Sequence, residues 1–213
     1  MTTDEWIAML ARGRDVEAEV HPARRLFVAL MTGTLVATVL LVVLLGVRPT
    51  LARDMGAPMF WLKGLFCALL AAAGVFAVVR AGRPGARLGA PLAALAAPLV
   101  AMWLLAAAVL WLAPSSARPA LLIGHSWAEC PINIALLSAP VFVAMLWAMR
   151  GLAPTRLRLA GAMAGLAAGG VGALVYTLHC DELAAPFLAT WYVVAMLVPT
   201  LIGAWLGPRV LRW

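Results

Sequence analysis

Two cysteines are placed to work as a pair. Cys130 ends the run GHSWAEC (124–130) and Cys180 lies in LHCDE (178–182). Between them run two apolar segments joined by the short basic loop RGLAPTRLR (150–158). If both segments are membrane helices, they form a hairpin that returns the chain to the face it left. About 19 residues lead from Pro131 to Met149 and about 20 from Leu159 to Leu178, so at ~1.5 Å per residue both thiols arrive at one depth.

The chemistry open to such a pair depends on its compartment, and the outer side of a bacterial inner membrane permits disulfides. Cys130 precedes Pro131, a residue favoured at the first helical position, so its thiol sits near a helix N-terminus whose dipole favours a thiolate; Glu129 opposes this. Cys180 sits at the opposite helix pole beside His179, which makes Cys130 the expected attacking thiol. Three uses stay open: a reversible disulfide, a transient soft or transition metal on Cys130 and Cys180, or a permanent structural bridge or two unrelated thiols. His125, His179, Glu129 and Asp181 are the neighbours available as further metal ligands or as supporting groups. Adjacent His179 and Cys180 point about 100° apart on a regular helix, and neither cysteine belongs to a C-x-x-C or a zinc spacing. The pattern therefore requires no cofactor. It also holds no Gly-rich phosphate loop, HExxH, nucleophile elbow or intramembrane carboxylate pair, so no enzyme is expected, and the shortage of buried ionisable groups argues against a proton-coupled transporter or channel.

The elements that must position the pair follow from composition. Of 213 residues, 65% are hydrophobic and 12% charged, and the mean hydropathy is +0.99. These values predict an all-α integral membrane protein. Apolar runs of membrane length lie at 26–47, 58–79, 89–112, 131–149, 159–178 and 185–206, giving a six-transmembrane-helix bundle (26–213) behind an N-terminal segment (1–25). With both termini cytoplasmic, twelve arginines fall inside, against Arg48, Arg53, Lys63 and Arg118 outside. The net charge of +7 is thereby read as topology signal and lipid contact rather than as nucleic-acid binding.

Along the chain, Thr2 and Thr3 before Asp4 and Glu5 suit a helix start, and Trp6, Ile7, Met9 and Leu10 give it an apolar face too short to be stable alone in water. Such a helix folds against a membrane surface or a partner. Residues 12 to 25 read as a solvated linker, with Arg24 and Arg25 anchoring the first span. In the second span Lys63 is expected to snorkel outward, and Cys67, at i+4, to be a small apolar filler. Gly161, Gly165 and Gly169 repeat at four-residue spacing and predict a tight helix contact, with either the fourth span or another subunit.

The segments TDEWIAMLARG, HPARRL, GHSWAECPINIALLSAP, LAPTRLRLAGAMAGLAAGGVGALVYTLHCDE and WLGPRVLRW together resemble the NrsF family of bacterial inner-membrane anti-sigma factors. The resemblance covers nearly the whole chain and is most specific in the two cysteine blocks. It implies six membrane helices, and a cytoplasmic N-terminal segment that holds an extracytoplasmic-function sigma factor inactive. It also implies a sensor role for Cys130 and Cys180 in heavy-metal or oxidative stress. On that basis Asp4, Trp6, Ile7, Leu10, Arg24 and Arg25 are the candidate sigma contacts. The stretch ARGRDVEAEV is more charged than the family's Pro-rich linker, which leaves the end of the binding segment open. The alternative is a quinone-linked, disulfide-forming membrane oxidoreductase, a class that normally carries vicinal cysteine pairs.

Overall fold

The computed structural model describes residues 2–12, 22–83, 89–152 and 154–212. Most of the linker expected over 12 to 25 lies outside the described residues. The elements run α1 (Thr3–Arg12), α2 (Pro22–Leu40) continuing into a π turn (Leu41–Leu45), a short α3 (Leu51–Asp54), α4 (Pro58–Ala81), α5 (Gly89–Leu112) and a short α6 (Arg118–Ile123). They continue with α7 (Glu129–Met149), α8 (Leu157–Tyr176), and α9 (Ala185–Phe187) followed by a π turn (Leu188–Tyr192) and α10 (Val193–Val210). Among the described residues, six helices are long and apolar enough to cross a membrane: Ala23–Leu45, Pro58–Ala81, Gly89–Leu112, Glu129–Met149, Leu157–Tyr176 and Ala185–Val210. The protein is an all-α, multi-span bundle, and an even number of crossings brings both ends of the bundle's chain to one face.

Local chemistry explains the element ends. Pro58 opens α4 at a position where no backbone N–H is required. The fourth span begins at Glu129 rather than at Pro131, because a proline anywhere in the first turn forfeits no internal hydrogen bond. The fifth ends at Tyr176 rather than Leu178: Leu178 N–H and His179 N–H donate to the carbonyls of Val175 and Tyr176, a tightening into 3₁₀ geometry that turns the chain out of the helix. The π turn in the sixth span leaves the Ala189 carbonyl to an outside donor, and Trp103 Nε1 of α5 supplies it at 3.0 Å.

α8 is the axle of the bundle. It packs on α10, α4 and α7, while α2 packs on α7 and α5 on α4. Most of α8 is buried, whereas α5 turns Leu104, Trp111 and Leu112 outward, an apolar surface suited to lipid and not to water. The close approach rests on small residues. Gly161 abuts Gly203 and Gly207, Gly165 abuts Pro199 and Thr200, and Gly169 abuts Met196 and Pro199, so the four-residue glycine row meets the sixth span of the same chain. Other faces of α8 use Gly170 against Ala71 of α4 and Gly172 against Ser138 and Ile134 of α7. Without a hydrophobic driving force between helices in lipid, this backbone-to-backbone packing is what holds the bundle together.

A side chain at Gly165 has no room: its Cβ would lie against the Pro199 carbonyl and 2.8 Å from the Thr200 Cα. Gly165→Leu is therefore expected to cost at least about 1–3 kcal/mol of stability by overpacking. Gly64→Ala, whose Cβ meets nothing within 4 Å, is expected to be neutral or mildly stabilising. Thermal melting of the purified chain in detergent checks both.

Candidate functional site

The first turn of α7 carries Cys130, and the irregular segment after α8 carries Cys180, so both thiols reach the same end of the bundle. Cys130 is fully buried and Cys180 nearly so, and both are free thiols. They lie within hydrogen-bonding reach of each other. A third free thiol, Cys67 of α4, is buried in the same neighbourhood.

Two cations hold the segment that carries Cys180. Lys63 does not snorkel. Its side chain is 0% exposed, and Nζ donates to the backbone carbonyls of Cys180 (2.9 Å) and Glu182 (3.0 Å), 5.0 Å from the centre of the Tyr192 ring. The residues after Tyr176 have left the helix, so their carbonyls lack intrahelical donors, and a buried ammonium one and a half turns into α4 supplies them. Arg48, also buried, donates through Nη1 to the same Cys180 carbonyl at 2.7 Å, pairs with Asp54 at 3.5 Å and lies over the Phe60 ring. Backbone bonds complete the clamp: Arg48 N–H donates to Leu178 O at 3.1 Å, and His179 Nδ1 meets Gly46 O at 2.9 Å. The Cys180 carbonyl thus accepts from two charged donors, each from a different span or its flank.

This setting favours the ionised form of Cys180, which the expectation from helix poles had not singled out. The Cys130 thiol as hydrogen-bond donor holds Cys180 down to about 5 against the opposing effect of burial, and the Lys63 ammonium adds to it. The fully buried Tyr192 hydroxyl lies beside the same sulfur and lowers it further.

The other candidate ligands scatter. His179 is turned to Gly46 and stacks obliquely on Tyr176, with ring centres 5.5 Å apart. His125 is exposed, and both its backbone N–H and its Nδ1 face the carboxylate of Glu182. Glu129 and Asp181 are exposed on a cleft of about 360 Å³ that Arg48, Tyr176, His179 and Cys180 also line. Among the described residues, no group of three or more His, Cys, Asp or Glu is arranged to hold a metal ion. The geometry therefore offers a buried pair of thiols, of which Cys180 lines the cleft and Cys130 lies behind it.

Comparison with known proteins identifies the lineage. A family model described as negative regulator of sigma F matches residues 10–213. The chain belongs to the NrsF family. It is 46% identical over 213 residues, with both chains fully covered, to a protein of Azospira oryzae named probable anti-sigma-F factor NrsF. It is 40% identical over 225 aligned residues, again with full coverage, to the anti-sigma-F factor NrsF of Caulobacter vibrioides. No solved structure matches the chain.

The NrsF model takes in the whole thiol site and begins at residue 10, so Asp4, Trp6 and Ile7 precede it, although both relatives align over them. These three residues lie exposed on α1, which starts in a capping box: Glu5 Oε2 accepts from Thr2 N–H at 2.7 Å, and Thr2 Oγ1 from Glu5 N–H. The side chain of Leu10 lies outside the described residues. Arg24 is exposed, whereas Arg25 is taken up by the bundle, donating to Trp147 O at 2.9 Å and covering the Trp147 ring.

Sequence reasoning missed Lys63 and Arg48 because their acceptors are loop carbonyls, which no residue type announces. The one available signal was the rarity of a lysine inside a span. Lys63→Met removes two charge-assisted hydrogen bonds, each worth about 1.5–3 kcal/mol, so amide hydrogen exchange over 178–184 should accelerate at least about tenfold. Exchange mass spectrometry on the chain in nanodiscs measures this, with α5 as the internal segment that should not change.

Proposed function

We propose that this chain is a multi-pass anti-sigma factor of the bacterial inner membrane, with both termini cytoplasmic. Its N-terminal segment (residues 1–25) holds an extracytoplasmic-function sigma factor through Asp4, Trp6, Ile7, Leu10 and Arg24, with Arg25 fixing the segment to the bundle. The observation that carries this reading is full-length identity of 46% and 40% to two proteins named as anti-sigma-F factors. The exposed apolar face of α1 supports it, since a ten-residue helix gains stability only by docking.

The signal enters at the other end. Cys130 and Cys180 are its receivers: an oxidant that accepts two electrons joins them as a disulfide with release of two protons, or a soft metal ion is captured between the two sulfurs. His125, His179, Glu129 and Asp181 surround this step without forming a closed cage. Either reaction re-seats the 178–184 segment against Lys63 and Arg48. Because α8 leads from that segment straight into the glycine contact with α10, a new seat for Cys180 changes helix packing down to the opposite face. The sigma-holding form and the reacted form must differ in sigma affinity for release to follow.

Deleting residues 1–20, or replacing Trp6 and Ile7 by Asp, is expected to abolish co-purification of a sigma factor from membranes while leaving the bundle folded. Cys130→Ser and Cys180→Ser are expected to uncouple the sigma regulon from metal or oxidative stress, read by a promoter reporter. Retention of the sigma factor by the deletion overturns the assigned segment. Normal induction in both serine variants overturns the thiol mechanism.

A further inference from the structure

The face of the bundle opposite the thiols carries a cleft of about 740 Å³ between the start of α8 and the end of α10. Arg158, Arg209 and Arg212 line it, and among the described residues no carboxylate does. Its remaining wall is apolar: Leu201, Ala204, Trp205 and Pro208. Leu201 and Trp205 are exposed on the outside of a membrane-spanning helix. Arg209 is pre-set by its own helix, donating through Nη1 to Trp205 O at 2.8 Å and lying 4.2 Å above the Trp205 ring, which leaves the rest of its guanidinium fork for a ligand. Gly161, Gly203 and Gly207, with no side chains, bring α8 and α10 together beneath the cleft.

We propose that this cleft binds an anionic phospholipid, its phosphate held by Arg158, Arg209 and Arg212 and an acyl chain running along Leu201, Ala204 and Trp205. Three guanidinium groups, from α8, α10 and the residues just past α10, with no neutralising acid among the described residues, call for an anion with several acceptor oxygens, and phosphate matches the guanidinium fork. A free phosphate would use only the basic half of the site. The apolar half, continuous with the lipid-facing surface of the sixth span, selects a headgroup that carries chains. A lipid seated there bridges the first turn of α8 to the last turns of α10, the helix pair whose glycine contact carries the thiol segment at its far end.

The test uses the full chain in detergent, titrated with phosphatidylglycerol or phosphatidylcholine of equal chain length and read by native mass spectrometry. The wild type is expected to retain phosphatidylglycerol in clear preference to phosphatidylcholine. Each guanidinium removed should weaken that retention about fivefold, so Arg158→Gln with Arg212→Gln should erase the preference, while Arg53→Gln at the other end should leave it intact. Equal retention of the two lipids by the wild type overturns the proposal, and that measurement needs no variant to fold. A preference that survives the double substitution also overturns it, as does displacement of phosphatidylglycerol by millimolar inorganic phosphate, which would mark a site for free anions.

Discussion

A charged ammonium buried between membrane helices has to be surrounded by acceptors, and Lys63 meets that demand with the carbonyls of Cys180 and Glu182. A lysine inside a span is costly, so such a residue persists only where the fold satisfies it. The satisfaction runs both ways. Buried backbone polar groups need partners inside the protein, and the segment from Thr177 to Ala184 is non-helical and largely covered. Lys63 and Arg48 allow that segment to exist. The segment in turn sets where Cys180 sits relative to Cys130, where α8 ends and where the sixth span begins.

The thiol end is therefore an electrostatic knot, and the rest of the bundle is a packing problem. α8 meets α10 through Gly161, Gly165 and Gly169, and α4 and α7 through Gly170 and Gly172, with backbones in contact on three sides. Helices packed this closely have little compliance. A change in the seat of Cys180 cannot be absorbed by soft side chains along α8, because at these contacts there are none. Interfaces of this kind switch between discrete arrangements rather than deforming smoothly, and the proposed coupling of a sulfur reaction to the opposite face rests on that property.

Much of this was legible in the residues alone, for reasons that differ by feature. The six spans follow from apolar length, which is a property of each segment by itself, and the third matched the helix Gly89–Leu112 end to end. The juxtaposition of Cys130 and Cys180 follows from counting along two antiparallel helices. What could not be read were the features that depend on a partner. The glycine row announced a close contact without saying with which helix, since any small face suits a zipper. Lys63 looked like a snorkelling residue because its acceptors are main-chain carbonyls, identical at every position. The helix-pole argument pointed to Cys130 as the thiolate and could not see that the Cys130 thiol itself, with a buried cation from another span, lowers Cys180. The separation of His125 and His179 from the sulfurs arises from loop geometry that neighbouring sequence does not encode.

In the proposed mechanism a thiol pair at one end is joined to a regulator held at the other, through a helix packed backbone to backbone between them. The affinity of the full chain in nanodiscs for its sigma factor, titrated once with Cys130 and Cys180 reduced and once after both have reacted, tests this most directly. Coupling energies of about 1–3 kcal/mol are typical between linked sites, so the account predicts sigma binding weaker by roughly 5- to 150-fold in the reacted form. Equal affinity in the two forms, with both sulfurs shown by mass to have reacted, would contradict it.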